Sequence, residues 1–266
     1  MYEQYWGLKE KPFENTPDPK FFYNSSQHEE ALARMLYTVK EQKGAGLLTG
    51  VYGCGKTLLA RALLKELQKD VYKVAIINNP KLDEIEMLRM IAYNLGLSNV
   101  PERKSDLLVK IETLLKENLM DGKKTVVIID EAHSIEDKDI FEEIRLLLNF
   151  QLEDKFLLTI LLLGQPELKE KVENIKQLNQ RIAMRYYLSN LSKKETEEYI
   201  AHRLSLAGAN YNPFLTDAVE IIYQHSGGIP RRINHICDTA LLAGMGAGIK
   251  QIDGNFVKEI IESFSL

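Results

Sequence analysis

Four stretches of the chain are apolar almost without interruption, and each has only the length of a strand. They are "AGLLTG" at 45–50, "YKVAII" at 72–77, "TVVIID" at 125–130 and "FLLTILLLG" at 156–164. A strand with one wet face alternates in polarity, whereas a strand that reads apolar throughout has both faces covered. Helical patterns separate the four runs: "TLLARALLKELQ", residues 84–95, residues 105–119 and "IFEEIRLLLNF". "RYYL", residues 185–188, reads as a further strand. The alternation predicts an α/β fold, a parallel sheet flanked by helices. Ligands of such sheets collect at the carboxyl ends of the strands, where Gly50, Asp130 and Gly164 fall.

After about residue 190 the strand signals stop. Ser192 opens an S-x-x-E capping pattern with Glu195. "ETEEYIAHRLSLAG", "TDAVEIIYQHSGG", "PRRINHICDTALLAG" and "NFVKEIIESF" read as successive helices. The expected organisation is therefore an α/β domain over 1–190 and a small helical domain over 191–266. Within the first, residues 1–24 carry Pro12, Pro17 and Pro19 and read as an extended arm without helix. Ser26 with Glu29 reads as a capping box, opening a helix that places Ala31, Leu32, Met35, Leu36 and Val39 on one face.

The chemistry starts in "GVYGCGKT". Gly50-x-x-x-x-Gly55-Lys56-Thr57 is a complete P-loop pattern, set between an apolar strand and an amphipathic helix. Glycines let the backbone turn its N–H groups inward, and the helix N-terminus behind them favours an anion. The expected nucleotide-binding residues are Gly50, Val51, Tyr52, Gly53, Cys54, Gly55, Lys56, Thr57 and Leu58. Lys56 would reach the β- and γ-phosphates of ATP, and Thr57 would hold Mg²⁺ through its hydroxyl. A chance glycine turn would lack the partner that lies downstream. In "TVVIIDEAH", Asp130 can fix the metal through its water shell and Glu131 is placed to act as general base.

"DEAH" invites a helicase reading, but that machine needs a second sheet domain, for which the 266 residues leave no room. His133 is a polar residue near the acids, and the other histidines form no metal-ligand spacing with it. Asn78 and Asn79 end their strand ahead of Pro80. Either they form only a turn, or one amide holds Glu131 off the water until a ligand arrives. Gln165 follows the strand "LLTILLLG" and could touch the γ-phosphate or orient water. Arg181 and Arg185 either sit on a solvated surface or supply an arginine finger to a neighbouring subunit. Arg231 and Arg232 begin a helix from which one could reach phosphates.

The net charge of −4 gives nucleic-acid binding no support. The cysteines, Cys54 and Cys237, form no C-x-x-C pair, which fits a reducing compartment. "MYEQYWGLKEKPF" lacks a signal-peptide pattern, and no apolar run approaches the ~18 residues of a membrane span. The expectation is a cytoplasmic protein with no membrane insertion by this chain.

The chain resembles the AAA+ ATPases, and within them the ATPase module of the general secretion pathway protein A (ExeA-type) family. The resemblance rests on "GLKEKPFENTPDPKFFYNSSQHEEAL", "GVYGCGKT", "VVIIDEAH", "LLLGQPEL", "LNQRIAMRYYLSNLSKKETEEYIAHRLSLAG" and "SGGIPRRIN", nearly the whole chain. It implies an AAA+ α/β domain with the helical tail as its lid, and nucleotide shared between neighbours in a ring or filament, a hexamer among the options. It implies Gln165 at the sensor-1 place, Arg181 as the finger with Arg185 second, and Arg231 at the sensor-2 place. It puts the arm around Pro12 and Phe13 near the adenine. The function implied is an ATP-driven oligomeric switch serving assembly of a secretion or pilus system. Relatives of that type continue into a membrane span and a peptidoglycan-binding region that these residues do not contain. Short relatives look like transposition helpers, so a DNA-binding ATPase is the alternative.

Overall fold

A computed structural model describes residues 1–153 and 155–264 of the chain. The strands are β1 (Ala45–Gly50), β2 (Tyr72–Ile77), β3 (Lys124–Ile129), β4 (Leu158–Gly164) and β5 (Ile182–Leu188). The helices through the sheet region are α1 (Glu3–Trp6), α2 (Ser26–Lys40), α3 (Lys56–Glu66), α4 (Glu84–Asn94), α5 (Lys104–Met120), α6 (Lys138–Leu147), α7 (Glu167–Glu173) and α8 (Lys176–Asn179). Four more follow: α9 (Lys193–Leu206), α10 (Thr216–Ser226), α11 (Pro230–Ala247) and α12 (Gly254–Phe264). None of the described helices is long and apolar enough to cross a membrane.

The chain forms two compact units. One comprises Glu29–Tyr52 and Leu59–Leu188. Its five-stranded sheet has the order β2-β3-β4-β1-β5 with every neighbouring pair parallel. The central strands β1 and β4 are buried at every position, and β3 at every position but its first. The outer strands β2 and β5 are partly exposed. The sequence shows the same gradient, because only a strand covered on both faces can be apolar throughout. Alternate residues of β3 and β4, among them Val127, Ile129, Ile160 and Leu162, pack with Met87, Leu88 and Ile91 of α4, Leu107, Ile111 and Leu115 of α5, and Ile144 and Leu147 of α6. On the opposite face α2 lies so close that a Cβ on Gly46 would meet Leu161 at 2.9 Å and the Met35 sulfur at 3.4 Å. The expected α/β class holds. The last strand begins earlier than "RYYL", at Ile182, so Arg185 lies within β5.

The other unit comprises Met1–His28, Gly53–Leu58 and Ser189–Leu266. The division expected from sequence assigned the arm and the glycine loop to the sheet; here both group with the C-terminal helices. Position 154 and residues 265–266 of the expected domains lie outside the described residues. The arm packs with the helices because its aromatic residues are part of their core. Tyr2, Trp6, Leu8, Phe13 and Phe21 are buried with Ile200, Phe214, Ile222, Ile236 and Val257. The Trp6 indole N–H donates to the Leu241 carbonyl at 2.8 Å, and the Tyr5 hydroxyl to the Ile249 carbonyl at 2.6 Å. Nor is the arm extended throughout: Glu3–Trp6 makes a helical turn. Pro19 opens a 3-10 turn with Asp18 as its cap, a place where the missing N–H costs nothing.

Caps divide in the same way. The Ser192–Glu195 box forms as expected, and Asp83 with Glu86 forms another. Ser26 does not cap. It is the first residue of α2, its hydroxyl donates to Glu195 at 3.2 Å, and Ser25 accepts the His28 amide at 3.4 Å in its stead.

Arg203 ties the arm down. Its guanidinium donates to the Pro12 carbonyl at 2.5 Å, the Glu14 carbonyl at 3.0 Å and the Tyr199 hydroxyl at 2.7 Å. It also stacks 4.8 Å from the Phe21 ring centroid. Arg203→Ala strands those buried acceptors and is expected to cost about 2–4 kcal/mol. A lowered denaturant midpoint with faster proteolysis within 1–28 would show it, and an unchanged midpoint would refute the anchoring.

Candidate functional site

In the helical unit, the glycine loop bends through backbone that only glycine takes easily. Gly53 has φ +84° and Gly55 φ +107°. Space is short as well: a Cβ on Gly53 would lie 2.8 Å from the Arg231 Cβ, and one on Gly55 2.9 Å from His28 Nε2. Lys56 is the first residue of α3 and is buried, 4% exposed. The loop thus ends in a helix N-terminus, the backbone arrangement that suits a phosphate.

Three features brace the loop. His28 Nε2 sits 3.2 Å from the Cys54 carbonyl, and its Nδ1 2.7 Å from the Ser25 hydroxyl. Burial holds His28 below the ordinary histidine range, opposed by that carbonyl, so a neutral ring is favoured. The Arg231 amide donates to the Gly53 carbonyl at 3.3 Å, which places Arg231, rather than Arg232, on the loop. The Cys54 thiol is pushed up by burial, with the Lys56 charge opposing. Beside the loop is a pocket lined by Phe22, Tyr23, His28, Cys54, Gly55, Leu58, Leu191, Tyr199 and Pro230. Its accessible volume is about 30 Å³, and its walls are largely aromatic and apolar. Pro12 and Phe13 do not line it: Phe13 packs edge-on to Phe214 at 6.1 Å, and Pro12 accepts from Arg203. The arm residues that do flank the loop are Phe22 and Tyr23. The aromatic run "FFY" just before the first long helix was their only sequence signal.

In the sheet unit, the carboxyl ends of β1, β3 and β4 share one edge. Thr49 pairs with Gly164, and Ile129 with Leu162. Asp130 follows β3 and is 4% exposed. Its carboxylate accepts the Glu131 amide at 2.9 Å. Glu131 has φ +54° and ψ +29°, left-handed backbone unusual for a glutamate. Such strain gathers at functional positions. The strained residue opens a 3-10 turn, Ala132–Ser134, so the chain reverses at once and leaves the carboxylate partly exposed. His133 Nε2 is 3.7 Å from Glu131 and 2.8 Å from the Gln165 amide, which follows β4.

The other sequence candidates fare differently. Asn78 and Asn79 are exposed, and among the described residues neither side-chain amide bonds Glu131, although β2 ends level with β3, Ile77 beside Ile129; His133 lies 3.7 Å from the Glu131 carboxylate. Arg181 donates to the Leu148 carbonyl at 2.7 Å and to Asn149 at 2.5 Å. Arg185 donates to the Asn179 carbonyl and side chain at 2.8 and 2.9 Å. Both arginines are thus held within their own chain. Among the described residues no group of three or more His, Cys, Asp or Glu could hold a metal unaided. Hydroxyl and carboxylate oxygens of the kind Thr57 carries in the one unit, and Asp130 in the other, are the donor types that Mg²⁺ takes.

Residues 39–172 match the family model described as AAA domain. The chain is 40% identical over 255 residues to the general secretion pathway protein A of Aeromonas hydrophila, an alignment covering 95% of this chain. It spans 46% of that relative, less than half its length. Among solved structures, the Aeropyrum pernix ORC2 protein in its ADPNP–ADP complexes superposes with a TM-score of 0.72 at 19% identity, over 96% of this chain and 71% of that one. Drosophila ORC bound to DNA gives 0.66 at 20% identity, over 90% and 60%. At those identities the two structures speak for the fold.

Proposed function

The chain belongs to the AAA domain family, and from that premise we propose that it is an ATP-hydrolysing oligomeric switch of the cytoplasm that assists assembly of a secretion or pilus system. The observation that carries the ATP reading is the loop of left-handed glycines running into a helix whose first residue is Lys56. The secretion reading rests on the 40% identity across 95% of the chain.

Each residue has a role in this reading. Loop amides and Lys56 take the β- and γ-phosphates, and the pocket beside the loop takes the adenine. Arg231 would report nucleotide at Gly53. Thr57 and Asp130 would hold Mg²⁺, which would supply positive charge against the phosphates. Glu131 accepts a proton from the attacking water, whose oxygen bonds the γ-phosphorus as the bond to the bridging oxygen breaks and ADP leaves. Gln165 contacts the γ-phosphate. Arg181 would stabilise transition-state charge in a neighbouring subunit, which requires it to leave Leu148 and Asn149. A finger that must first break its own bonds acts only where a partner offers a better one, so turnover depends on assembly.

ATP turnover per subunit, measured against protein concentration with and without double-stranded DNA at low salt, tests this. A rate that climbs with concentration and ignores DNA is expected. A rate that jumps with DNA would replace the secretion role by the transposition-helper role. Arg181→Ala should remove the climb, and mixing it with Lys56→Ala subunits should restore part of it, since one supplies the pocket and the other the finger. No rescue at any ratio would refute a finger in trans.

A further inference from the structure

One ring nitrogen stands next to two side chains from different strands. His133 Nε2 is 2.8 Å from the Gln165 amide, after β4, and 3.7 Å from the Glu131 carboxylate, after β3. The first distance is a hydrogen bond and the second falls just short of one. The backbone that carries the ring is held in place. Lys171, from α7, donates to the carbonyls of His133 and Ile135 at 2.5 and 2.7 Å. The bare backbone of Gly164 lets the turn approach so closely that a Cβ there would lie 3.0 Å from the His133 amide nitrogen. The other ring nitrogen, Nδ1, is buried without a partner.

That orphan decides the tautomer. In the structure the Gln165 side-chain nitrogen faces His133 Nε2, which would make Nε2 the acceptor and put the ring proton on Nδ1, a buried donor with nothing to bond. Orphaned buried N–H groups are rarer than under-used acceptors. Amide oxygen and nitrogen are interchangeable in shape, so turning the Gln165 amide by half a turn gives the favoured pairing, Nε2–H donating to the Gln165 oxygen. The Gln165 –NH₂ is then free for another acceptor, and only one ring proton is available to two oxygens.

We propose that His133 is a positioning residue that couples Gln165 to Glu131, so that contact of Gln165 with a γ-phosphate aligns the base. While Gln165 holds the Nε2–H, Glu131 lacks a donor within bonding distance. When a phosphate oxygen draws Gln165 away, the same N–H closes on the Glu131 carboxylate and orients it toward water. His133 moves no proton in this scheme, and no bond is made or broken by it. The inference rests on the hydrolysis reading above.

A double-mutant cycle on the full chain reads the coupling: His133→Ala, Gln165→Ala and the pair, each with kcat at saturating ATP, ATP affinity and melting temperature. Each single change is expected to lower kcat about 10- to 100-fold, as a misplaced reacting group does, with melting nearly unchanged and, for His133→Ala, affinity nearly unchanged as well. The pair should be no slower than the slower single, because both remove one linkage. His133→Gln, which can restore an N–H donor near Nε2, should recover part of the lost rate; a residue that merely fills space would show no such preference. Multiplying effects, or a His133→Ala rate equal to wild type, overturns the coupling. If His133→Ala fails to fold, His133→Gln against Gln165→Ala carries the same cycle. Glu131→Gln separates the two levels: a wild-type rate there sinks the hydrolysis reading itself, whereas a dead Glu131→Gln with multiplying effects sinks only the coupling.

Discussion

Lys56→Ala is expected to abolish productive ATP binding. Lys56 begins α3 at the closure of the glycine loop, is 4% exposed and lies 3.9 Å from the Cys54 sulfur. An ammonium there has a phosphate oxygen as its natural partner, and a charge-assisted bond of this kind contributes about 2–3 kcal/mol. Its loss corresponds to about 30- to 150-fold in affinity. The same charge counters negative charge that builds on the phosphates during transfer, so kcat should fall by about a further 10²- to 10³-fold. Alanine is a good helix former, so α3 itself should persist. Calorimetric titration with an ATP analogue and phosphate release check the two losses separately. Unchanged affinity and turnover in a folded variant would remove the loop from the function.

Glu131→Gln is expected to separate binding from hydrolysis. Glutamine keeps the shape and the left-handed backbone at φ +54°, so folding and ATP affinity should stay near wild type. What disappears is the proton acceptor. General-base assistance contributes about 10²- to 10⁴-fold, and kcat should drop by that factor. A slow variant that still binds ATP also holds its assembled state longer, so at equal ATP it should sediment as larger species than wild type. A wild-type rate would show that another group, or bulk water, takes the proton.

The parts of this protein that could be read along the chain are those whose causes are local. β1, β3 and β4 were legible because a strand covered on both faces must be apolar at every step. The loop was legible because its glycines and Lys56 do their work within a few residues of one another. Ser192 with Glu195 was legible because a capping box closes over three residues. Ser26 with Glu29 has the same spelling and fails, because Ser26 bonds Glu195 far along the chain. The aromatic residues of the arm were visible, but not what they pack against: Trp6 and Leu241 are 235 positions apart. Prolines argue for an extended arm by local sterics, and the buried rings of Tyr2, Trp6 and Phe13 then set where it goes.

The candidate site divides along the same line. Asp130 and Glu131 could be named as a metal carboxylate and a base from their place after an apolar strand, and Gln165 from its place after another. That His133 stands next to both Glu131 and Gln165 could not, since it depends on β3 and β4 being neighbours in the order β2-β3-β4-β1-β5. The sequence by itself determined most of the strands and the long helices, and which residues to expect at a phosphate, because periodicity and backbone freedom act over one turn or one pleat. Only the tertiary structure decided which strand ends adjoin, which unit the arm joins and which histidine nitrogen faces which carboxylate or amide, because those outcomes depend on burial and pairing between residues tens to hundreds of positions apart.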